Sequence, residues 1–135
     1  MLSVEEKTPS AHNGITPLHY AARFGLSDIC KSILENVQEK NPKDHTGKTP
    51  LHYAAEIGFL EVCQLILQNV QEKNPQDCRK NTPLHYAAQK GLSEVCQLIL
   101  ENVQEKNPKN YRGLTPLDFA EMTGHFSEVV ELFQI

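Results

Sequence analysis

The chain has 135 residues, of which 39% are hydrophobic and 22% are charged, and its formal net charge is −4. A chain of this length is expected to form one domain whose hydrophobic core needs neither a metal ion nor a disulfide. Its apolar runs are too short to span a bilayer, residues 1–10 lack the pattern of a signal peptide, and the acidic balance disfavours general binding to nucleic acid or anionic membranes, so we expect a soluble protein.

A sequence repeat of 33 residues organises the whole chain. Each copy opens with a Thr-Pro pair, at Thr16, Thr49, Thr82 and Thr115, and carries a glycine nine residues later. Residues 49–81 and 82–114 share 23 identities in 33 positions. We predict a single domain over residues 1–135, with a partial loop at 1–15 and repeats at about 16–48, 49–81, 82–114 and 115–135.

Each copy predicts two helices and a loop. In the second copy, Thr49 favours a helix start, because its hydroxyl caps a free N–H and the following Pro lacks the donor that would go unpaired. The first helix is predicted over Pro50–Ile57, and Gly58 ends it through a positive φ. The second helix is predicted over Leu60–Asn69, which has a broad apolar stripe. Residues 71–81 are rich in turn formers and predict a loop or hairpin.

This 33-residue unit, with T-P-L-H-x-A-A at its head, resembles the ankyrin repeat, and the four copies cover nearly the whole chain. The resemblance implies an all-α ankyrin-repeat solenoid of stacked helix-turn-helix pairs joined by β-hairpin-like loops. It also implies a protein–protein interaction module. Because the chain has no G-x-x-x-x-G-K-[ST] phosphate loop, H-E-x-x-H pair or G-x-S-x-G elbow, we expect no enzymatic activity and no cofactor. In that family the concave face and the loop tips carry the partner contacts.

Two departures from the family pattern concern turns. After the second helix the family usually has Gly, whereas this chain has Asn followed by Val. Because Asn tolerates the left-handed conformation better than Val does, we expect it at Asn36, Asn69 and Asn102. Lys80 occupies the hairpin position that is Gly14, Gly47 or Gly113 in the other copies, so we expect a different or looser turn there.

Three of the four cysteines occupy one offset of the repeat, at Cys30, Cys63 and Cys96. Each lies among apolar residues, so we predict buried free thiols rather than disulfides. Cys78 lies in a polar stretch and is expected to be exposed. Free thiols favour a reducing compartment, the cytoplasm or the nucleus.

Three histidines also follow the repeat, at His19, His52 and His85. A metal or catalytic site needs several groups that converge on one point, whereas a period of 33 spreads equivalent residues along a stack. We therefore expect no metal site and no catalytic site. In the ankyrin family the matching His is structural and hydrogen-bonds backbone beside the Thr-Pro turn.

An aromatic stripe has two interpretations. It comprises Tyr20, Tyr53, Tyr86 and Phe119, again at the repeat spacing. The first interpretation is partly buried packing with the hydroxyl at the edge. The second is a row of binding anchors on the inner helix face, since Tyr supplies a large contact area at low entropy cost.

Charge is unevenly distributed between loops and helices. The loops at 38–48, 71–81 and 104–114 hold nine Lys or Arg against five Asp or Glu, whereas the helices are acidic. This pattern is either an ordinary mixture of solvated charges or a basic edge that favours a partner protein with an acidic surface.

We expect the partner surface at positions that stacking leaves free to vary. At the loop tips these are His45, Thr46, Lys48, Cys78, Arg79, Asn81, Tyr111, Arg112 and Leu114. At the end of the first helices they are Arg23, Phe24, Glu56, Ile57, Gln89 and Lys90. We expect a monomer that binds another protein, with no small-molecule substrate, nucleic acid or membrane. The alternatives are a partnerless scaffold, natural or designed, and a nucleic-acid binder that uses the basic edge.

Overall fold

The computed structural model describes residues 13–134, which form stacked helix pairs, so the all-α fold class is confirmed. The partial loop predicted over residues 1–15 lies outside the described residues except for its end. No helix in residues 13–134 combines the length and hydropathy needed to cross a membrane. The helices are α1 (Pro17–Arg23), α2 (Ser27–Asn36), α3 (Pro50–Ile57), α4 (Leu60–Asn69), α5 (Pro83–Gln89), α6 (Ser93–Leu100), α7 (Pro116–Met122) and α8 (Phe126–Val129), which runs into a 3₁₀ turn (Val130–Phe133).

The helix bounds predicted for the second copy, Pro50–Ile57 and Leu60–Asn69, are confirmed. Gly58 ends the first of these helices in the left-handed conformation, with φ of 102°. The apolar stripe of α4 faces the core, where Cys63 and Ile66 are fully buried. Local signals therefore define each helix pair, since both the start and the stop are encoded within the repeat.

Reciprocal hydrogen bonds cap the first helix of each pair. His19 N–H donates to Thr16 Oγ1 at 3.3 Å, and Thr16 N–H donates to His19 Nδ1 at 3.1 Å. In α7 the partner of Thr115 is Asp118, whose N–H donates to Thr115 Oγ1 at 3.1 Å and whose carboxylate accepts from Thr115 N–H at 2.9 Å. Asp thus replaces His in the last copy without loss of the cap, because both side chains accept a hydrogen bond.

The same histidines join each repeat to the next, which confirms their structural role. His19 Nε2 lies 2.8 Å from the carbonyl oxygen of Lys48, and His85 Nε2 lies 2.9 Å from that of Leu114. Since Nδ1 accepts from a backbone N–H, the proton of the neutral ring is on Nε2, which donates to the carbonyl. Burial lowers the pKa of both rings and keeps them neutral, although the hydrogen bond to the carbonyl acts in the opposite direction.

The core runs through the stack between the first and second helices. Paired alanines such as Ala54 and Ala55 are fully buried and let neighbouring helices approach closely. Leu51, Ile66 and Leu84 are the large side chains buried around them. Every interior repeat is therefore covered on both sides by its neighbours.

A glycine at the end of the first helix is covered by the next repeat. A Cβ atom at Gly25 would lie 2.8 Å from the Phe59 ring, and one at Gly91 would lie 2.6 Å from the His125 ring. Leu26 is the equivalent of these covering residues in the first copy, and 43% of it is exposed. Leu26 is thus an exposed apolar side chain at this end of the described stack.

The turn that follows each second helix differs from expectation. Among residues 13–134, Asn13 and Lys80 are the non-glycine residues with positive φ, so the prediction of a left-handed conformation at Asn36, Asn69 and Asn102 is wrong. Val37 instead follows α2 in an extended conformation, with φ of −104°. Lys40 reaches back and donates from Nζ to the carbonyl oxygen of Leu34 at 2.6 Å. An ammonium group satisfies the helix end, so no left-handed residue is needed.

The hairpin at Lys80 keeps the geometry of the glycine hairpins. Lys80 has φ of 63°, and its N–H donates to the carbonyl oxygen of Asp77 at 2.8 Å. Gly47, with φ of 81°, makes the same bond to Asp44 at 2.9 Å. The prediction of a different turn is therefore wrong, and Lys80 adopts a conformation that costs a side-chain-bearing residue about 1 kcal/mol.

Candidate protein interaction surface

An acidic side chain organises each hairpin tip from within. Asp44 is 7% exposed, and its Oδ1 accepts from the N–H groups of Thr46 and Lys48, both at 2.9 Å. Its Oδ2 accepts from the hydroxyl of Tyr53. Burial raises the pKa of Asp44, but hydrogen bonds from Tyr53, Thr46 and Lys48 outweigh burial and hold this pKa below its usual value. The tip is therefore built around a buried, charged carboxylate.

The next hairpin repeats this arrangement, and the hairpin after it carries one coordinated change. Asp77 of the second copy accepts from the hydroxyl of Tyr86 in the third copy at 2.5 Å, and its Oδ1 accepts from the N–H of Arg79 at 2.9 Å. In the last hairpin Asn110 of the third copy replaces the Asp, and Phe119 of the fourth copy replaces the Tyr. The carboxylate and the hydroxyl that binds it are therefore lost together.

Backbone hydrogen bonds join the tips into one row. His45 N–H donates to the carbonyl oxygen of Asn13 at 2.9 Å, Cys78 N–H donates to that of Thr46 at 3.0 Å, and Tyr111 N–H donates to that of Arg79 at 3.1 Å. Each hairpin thus holds its neighbour in register, and the residues at the tips keep fixed positions relative to one another.

The predicted tip residues do not all lie on this row. Exposed side chains are those of His45, Thr46, Cys78, Arg79, Tyr111 and Arg112, whereas Lys48 and Leu114 are half-buried. Asn81 is only 5% exposed, so its prediction as a loop-tip residue is wrong. Its Oδ1 accepts from Asn110 Nδ2 at 3.0 Å and its Nδ2 donates to the Tyr86 hydroxyl at 3.3 Å, so its side chain joins two repeats.

Lys48 lies between two aromatic rings. Its Nζ is 5.4 Å from the centroid of the Tyr53 ring and 4.8 Å from that of Tyr86. It also lies 4.0 Å from Glu56 Oε1. The charge of Lys48 is thus already shared between two ring faces and a carboxylate, which reduces its value as a free cation for a partner.

The aromatic stripe divides between the two interpretations. The edges of Tyr53 and Tyr86 pack against His19 and His52, with ring centroids 5.8 Å and 5.9 Å apart, and their hydroxyls bind the buried carboxylates. These two residues support the packing interpretation. Tyr20 instead is 50% exposed and stacks on Phe24 at 6.4 Å, so its ring remains available to a partner.

Helix ends supply the second part of the candidate surface. Arg23, Phe24, Ile57 and Lys90 are exposed, whereas Glu56 and Gln89 are half-buried. Two apolar side chains are prominent, because Phe24 is 59% exposed and Ile57 is 49% exposed. Arg23 lies over the Phe24 ring at 5.8 Å. Aromatic, aliphatic and cationic side chains are thus combined on one face, as they are at the centres of protein interfaces.

The basic edge is not one surface. Lys40, Lys73 and Lys106 donate to carbonyl oxygens at the ends of the second helices and are held there. The exposed cations at the tips are Arg79, Lys80 and Arg112. The tip segments 45–48, 78–81 and 111–114 contain no Asp or Glu, so the row is cationic although the chain is acidic.

Two residues of this surface were not predicted from the sequence. The sequence pattern predicts only a turn position for Lys80, whereas its side chain is exposed beside Arg79. Leu92 lines a groove together with Ile57 and Lys90, at the ends of the first helices. Leu92 occupies the same repeat position as Phe59, and both side chains cover a glycine of the preceding repeat. This equivalence is the sequence signal that identifies Leu92.

The described residues do not suggest metal binding or nucleophilic catalysis. Within residues 13–134, no three His, Cys, Asp or Glu side chains are grouped to hold a metal ion. The predicted burial of Cys30, Cys63 and Cys96 is confirmed, as is the exposure of Cys78, and all four thiols are free. Burial raises the pKa of Cys30 to about 11 and those of Cys63 and Cys96 to about 12, which disfavours the nucleophilic thiolate.

Comparison with known proteins agrees with this architecture. A family model for ankyrin repeats in three copies matches residues 2–77 and again residues 69–134. The chain matches none of the curated proteins compared with it. Ankyrin repeats are generally protein–protein interaction modules and are typically not enzymes. On the repeat pattern, the stacked helix pairs and the match of the family model, this chain belongs to the ankyrin repeat family.

Proposed function

We propose that the chain binds a partner protein through its concave face and loop tips, and that it acts by binding rather than by catalysis. The observation that carries this proposal is the row of backbone hydrogen bonds that links successive tips, from Asn13 to Tyr111. A row fixed in this way presents its exposed side chains at low entropic cost, which favours tight association.

The chemistry of the exposed tip residues supports the same function. Tyr111 is 62% exposed and lies next to Arg112, and these two residue types are enriched among interface hot spots. Neither side chain makes a hydrogen bond to another described residue, whereas Asp44, Asp77 and Asn81 beneath the tips are buried and fully engaged. The stack therefore does not require the exposed side chains for its own stability.

The test combines stability with binding. The protein is immobilised, a lysate of cells that make it is passed over it, and retained proteins are identified by mass spectrometry. We expect Tyr111→Ala with Arg112→Ala to weaken the captured partner by about tenfold or more, equivalent to about 1.4 kcal/mol. The melting temperature should be nearly unchanged, because surface substitutions usually alter stability by less than about 0.5 kcal/mol.

A matched variant locates the interface. Glu61 and Gln64 are exposed on α4, on the outer side of the stack. Glu61→Ala with Gln64→Ala should leave capture unchanged. If this outer variant loses the partner and the tip variant keeps it, the interface lies on the convex side and the proposed location is wrong.

The alternative, a partnerless scaffold, makes a different prediction. The near-identity of residues 49–81 and 82–114 favours it, since a scaffold needs no variety between repeats. The presence of Cys78 and Tyr111 at equivalent exposed tip positions disfavours it. Benzoylphenylalanine in place of Tyr111 should crosslink a specific protein in cells under our proposal, and should crosslink none if the chain is only a scaffold. Free thiols support a reducing compartment for this experiment.

A further inference from the structure

A groove lies where the first helices of three repeats end. It has a volume of about 540 Å³ and is lined by Arg23, Tyr53, Glu56, Ile57, Lys90 and Leu92. Arg23 belongs to the first repeat, Glu56 and Ile57 to the second, and Lys90 and Leu92 to the third. A ligand in this groove therefore contacts three repeats at once.

The charges of the groove are unbalanced. Glu56 lies 4.0 Å from Lys48, so its carboxylate has a cationic neighbour within the protein. The ion pairs among residues 13–134 are this one and the pair of His125 with Glu128, and neither includes Arg23 or Lys90. Arg23 of the first repeat and Lys90 of the third thus lack a carboxylate partner among the described residues.

The same groove also carries apolar surface. Ile57, on the repeat between those of the two cations, is 49% exposed, and half-buried Leu92 lines the groove with it. Covering such a surface is favourable because it removes apolar area from water, so an apolar side chain gains free energy there. A simple anion satisfies the cations but leaves this apolar floor in water.

Lys48 connects the groove to the row of hairpins, because it belongs to a hairpin and its Nζ lies 4.0 Å from Glu56, which lines the groove. Arg79, Lys80 and Arg112 are exposed on the same row of hairpins, which contains no Asp or Glu in its tip segments. A partner that follows the groove towards the tips thus meets additional cations. Complementary charge of this kind speeds association and excludes partners of like charge.

Resting on the proposed function, we infer that the groove binds an acidic protein segment in which a bulky apolar side chain lies between carboxylates. The apolar side chain covers Ile57 and Leu92, and the flanking carboxylates pair with Arg23 and Lys90. A nucleic acid is disfavoured as the occupant, because its phosphates would pair with the cations but would leave the apolar surface of Ile57 in water.

A random dodecapeptide display library, selected on the intact protein, tests this inference. We expect enriched peptides to carry net negative charge, with a Leu, Ile, Phe or Met between acidic residues. A synthetic copy of the most enriched peptide should bind at least tenfold more weakly to Arg23→Glu with Lys90→Glu. It should also bind more weakly as the salt concentration rises.

The control variant makes the same change in charge elsewhere. Lys31 on α2 and Lys109 in the last loop are exposed and do not line the groove. Lys31→Glu with Lys109→Glu should change peptide affinity by less than twofold. Thermal melting of both variants shows that each is folded before affinities are compared.

Several results overturn the inference. They are an absence of enriched peptides, enrichment of neutral or basic peptides, equal loss of affinity in the two charge variants, and tighter binding of an oligo(dT) strand than of the selected peptide at the same groove.

Failure of this inference is distinguishable from failure of the proposed function. If a partner crosslinks at the tips but acidic peptides do not bind in the groove, the proposed function stands and the inference is rejected. If acidic peptides bind in the groove but no partner crosslinks at the tips, the binding site is the groove alone.

Discussion

The Nε2 atom of His52 lies 2.9 Å from the carbonyl oxygen of Asn81, 29 residues later in the chain. Its Nδ1 atom accepts from the N–H of Thr49 at 3.0 Å. One buried imidazole therefore caps a helix in its own repeat and fixes the hairpin that leads to the next repeat. Both bonds require the neutral ring with its proton on Nε2, so helix capping and repeat stacking depend on one protonation state.

The first prediction follows from this dependence. Burial lowers the pKa of His52 from 6.5 to about 4, against the smaller raising effects of the Asn81 hydrogen bond and of Asp77. Between these values the unfolded chain binds more protons, so the free energy of unfolding falls as the pH drops below 6.5. His52 alone should remove about 2 kcal/mol between pH 7 and pH 5. Urea denaturation at several pH values measures this slope.

A pair of variants assigns the slope to the buried ring. His52→Gln should reduce the pH dependence by the share that His52 contributes, whatever its effect on stability at pH 7, whereas the buried rings of His19 and His85 keep their own shares. His45→Gln is the matched control, since His45 is exposed at a tip, and it should leave the slope as it is. An unchanged slope in His52→Gln would show that the ring is not kept neutral by burial.

The second prediction concerns the hydrogen bond from the Tyr53 hydroxyl to the Asp44 carboxylate. Tyr53→Phe leaves a buried carboxylate oxygen without this donor and should cost about 1–3 kcal/mol of stability. Asp44→Asn with Tyr53→Phe copies the pair of Asn110 in the third repeat and Phe119 in the fourth, and should cost at least about 0.5 kcal/mol less than the two single changes added together. Urea unfolding of the four proteins measures this coupling.

The control for this cycle is Tyr20, which occupies the position of Tyr53 one repeat earlier. At the position of Asp44 one repeat earlier the sequence has Ala11. Because Tyr20 is half exposed and makes no hydrogen bond to another described residue, Tyr20→Phe should change stability by less than about 0.5 kcal/mol. Strict additivity in the double variant at Tyr53 and Asp44 would mean that the hydroxyl and the carboxylate act independently.

The third prediction is selective thiol labelling. Iodoacetamide at pH 8 should modify Cys78 quickly in the folded protein, because its side chain is exposed. Cys30, Cys63 and Cys96 should react only on unfolding, since they are fully buried and burial raises their pKa. Peptide mass spectrometry identifies the modified residues, and Cys78→Ser should abolish the fast phase. Rapid modification of all four thiols under native conditions would reject the burial of the other three.

The fourth prediction concerns the positive φ of 63° at Lys80. Lys80→Gly removes the Cβ atom that disfavours this conformation, and should raise the free energy of unfolding by up to about 1 kcal/mol. Lys80→Ala deletes the same charge but keeps the Cβ atom, so it should not stabilise the protein. Thermal and urea unfolding of the two variants separate backbone strain from charge. Equal stability of the Gly and Ala variants would indicate that the backbone is unstrained at this position.

The sequence by itself determined the helices, the caps and the buried thiols of this protein. The bounds of α3 and α4 follow from Thr49, Gly58 and the apolar period, because each signal acts within a few residues of its own position. The burial of Cys63 follows from its place in an apolar stripe. The repeat of 33 residues then extends these local results to the other copies.

Only the tertiary structure decided how equivalent positions of neighbouring repeats meet. Asn81 is buried because Asn110, one hairpin later, binds its side chain, and Lys80 keeps its turn because the linked hairpins hold it in register. Lys40 and Arg79 are both loop cations in the sequence, yet one caps a helix end and the other is exposed at a tip. Local periodicity specifies which face of a helix is apolar, whereas contacts between residues about 30 positions apart specify which polar side chains remain free for a partner.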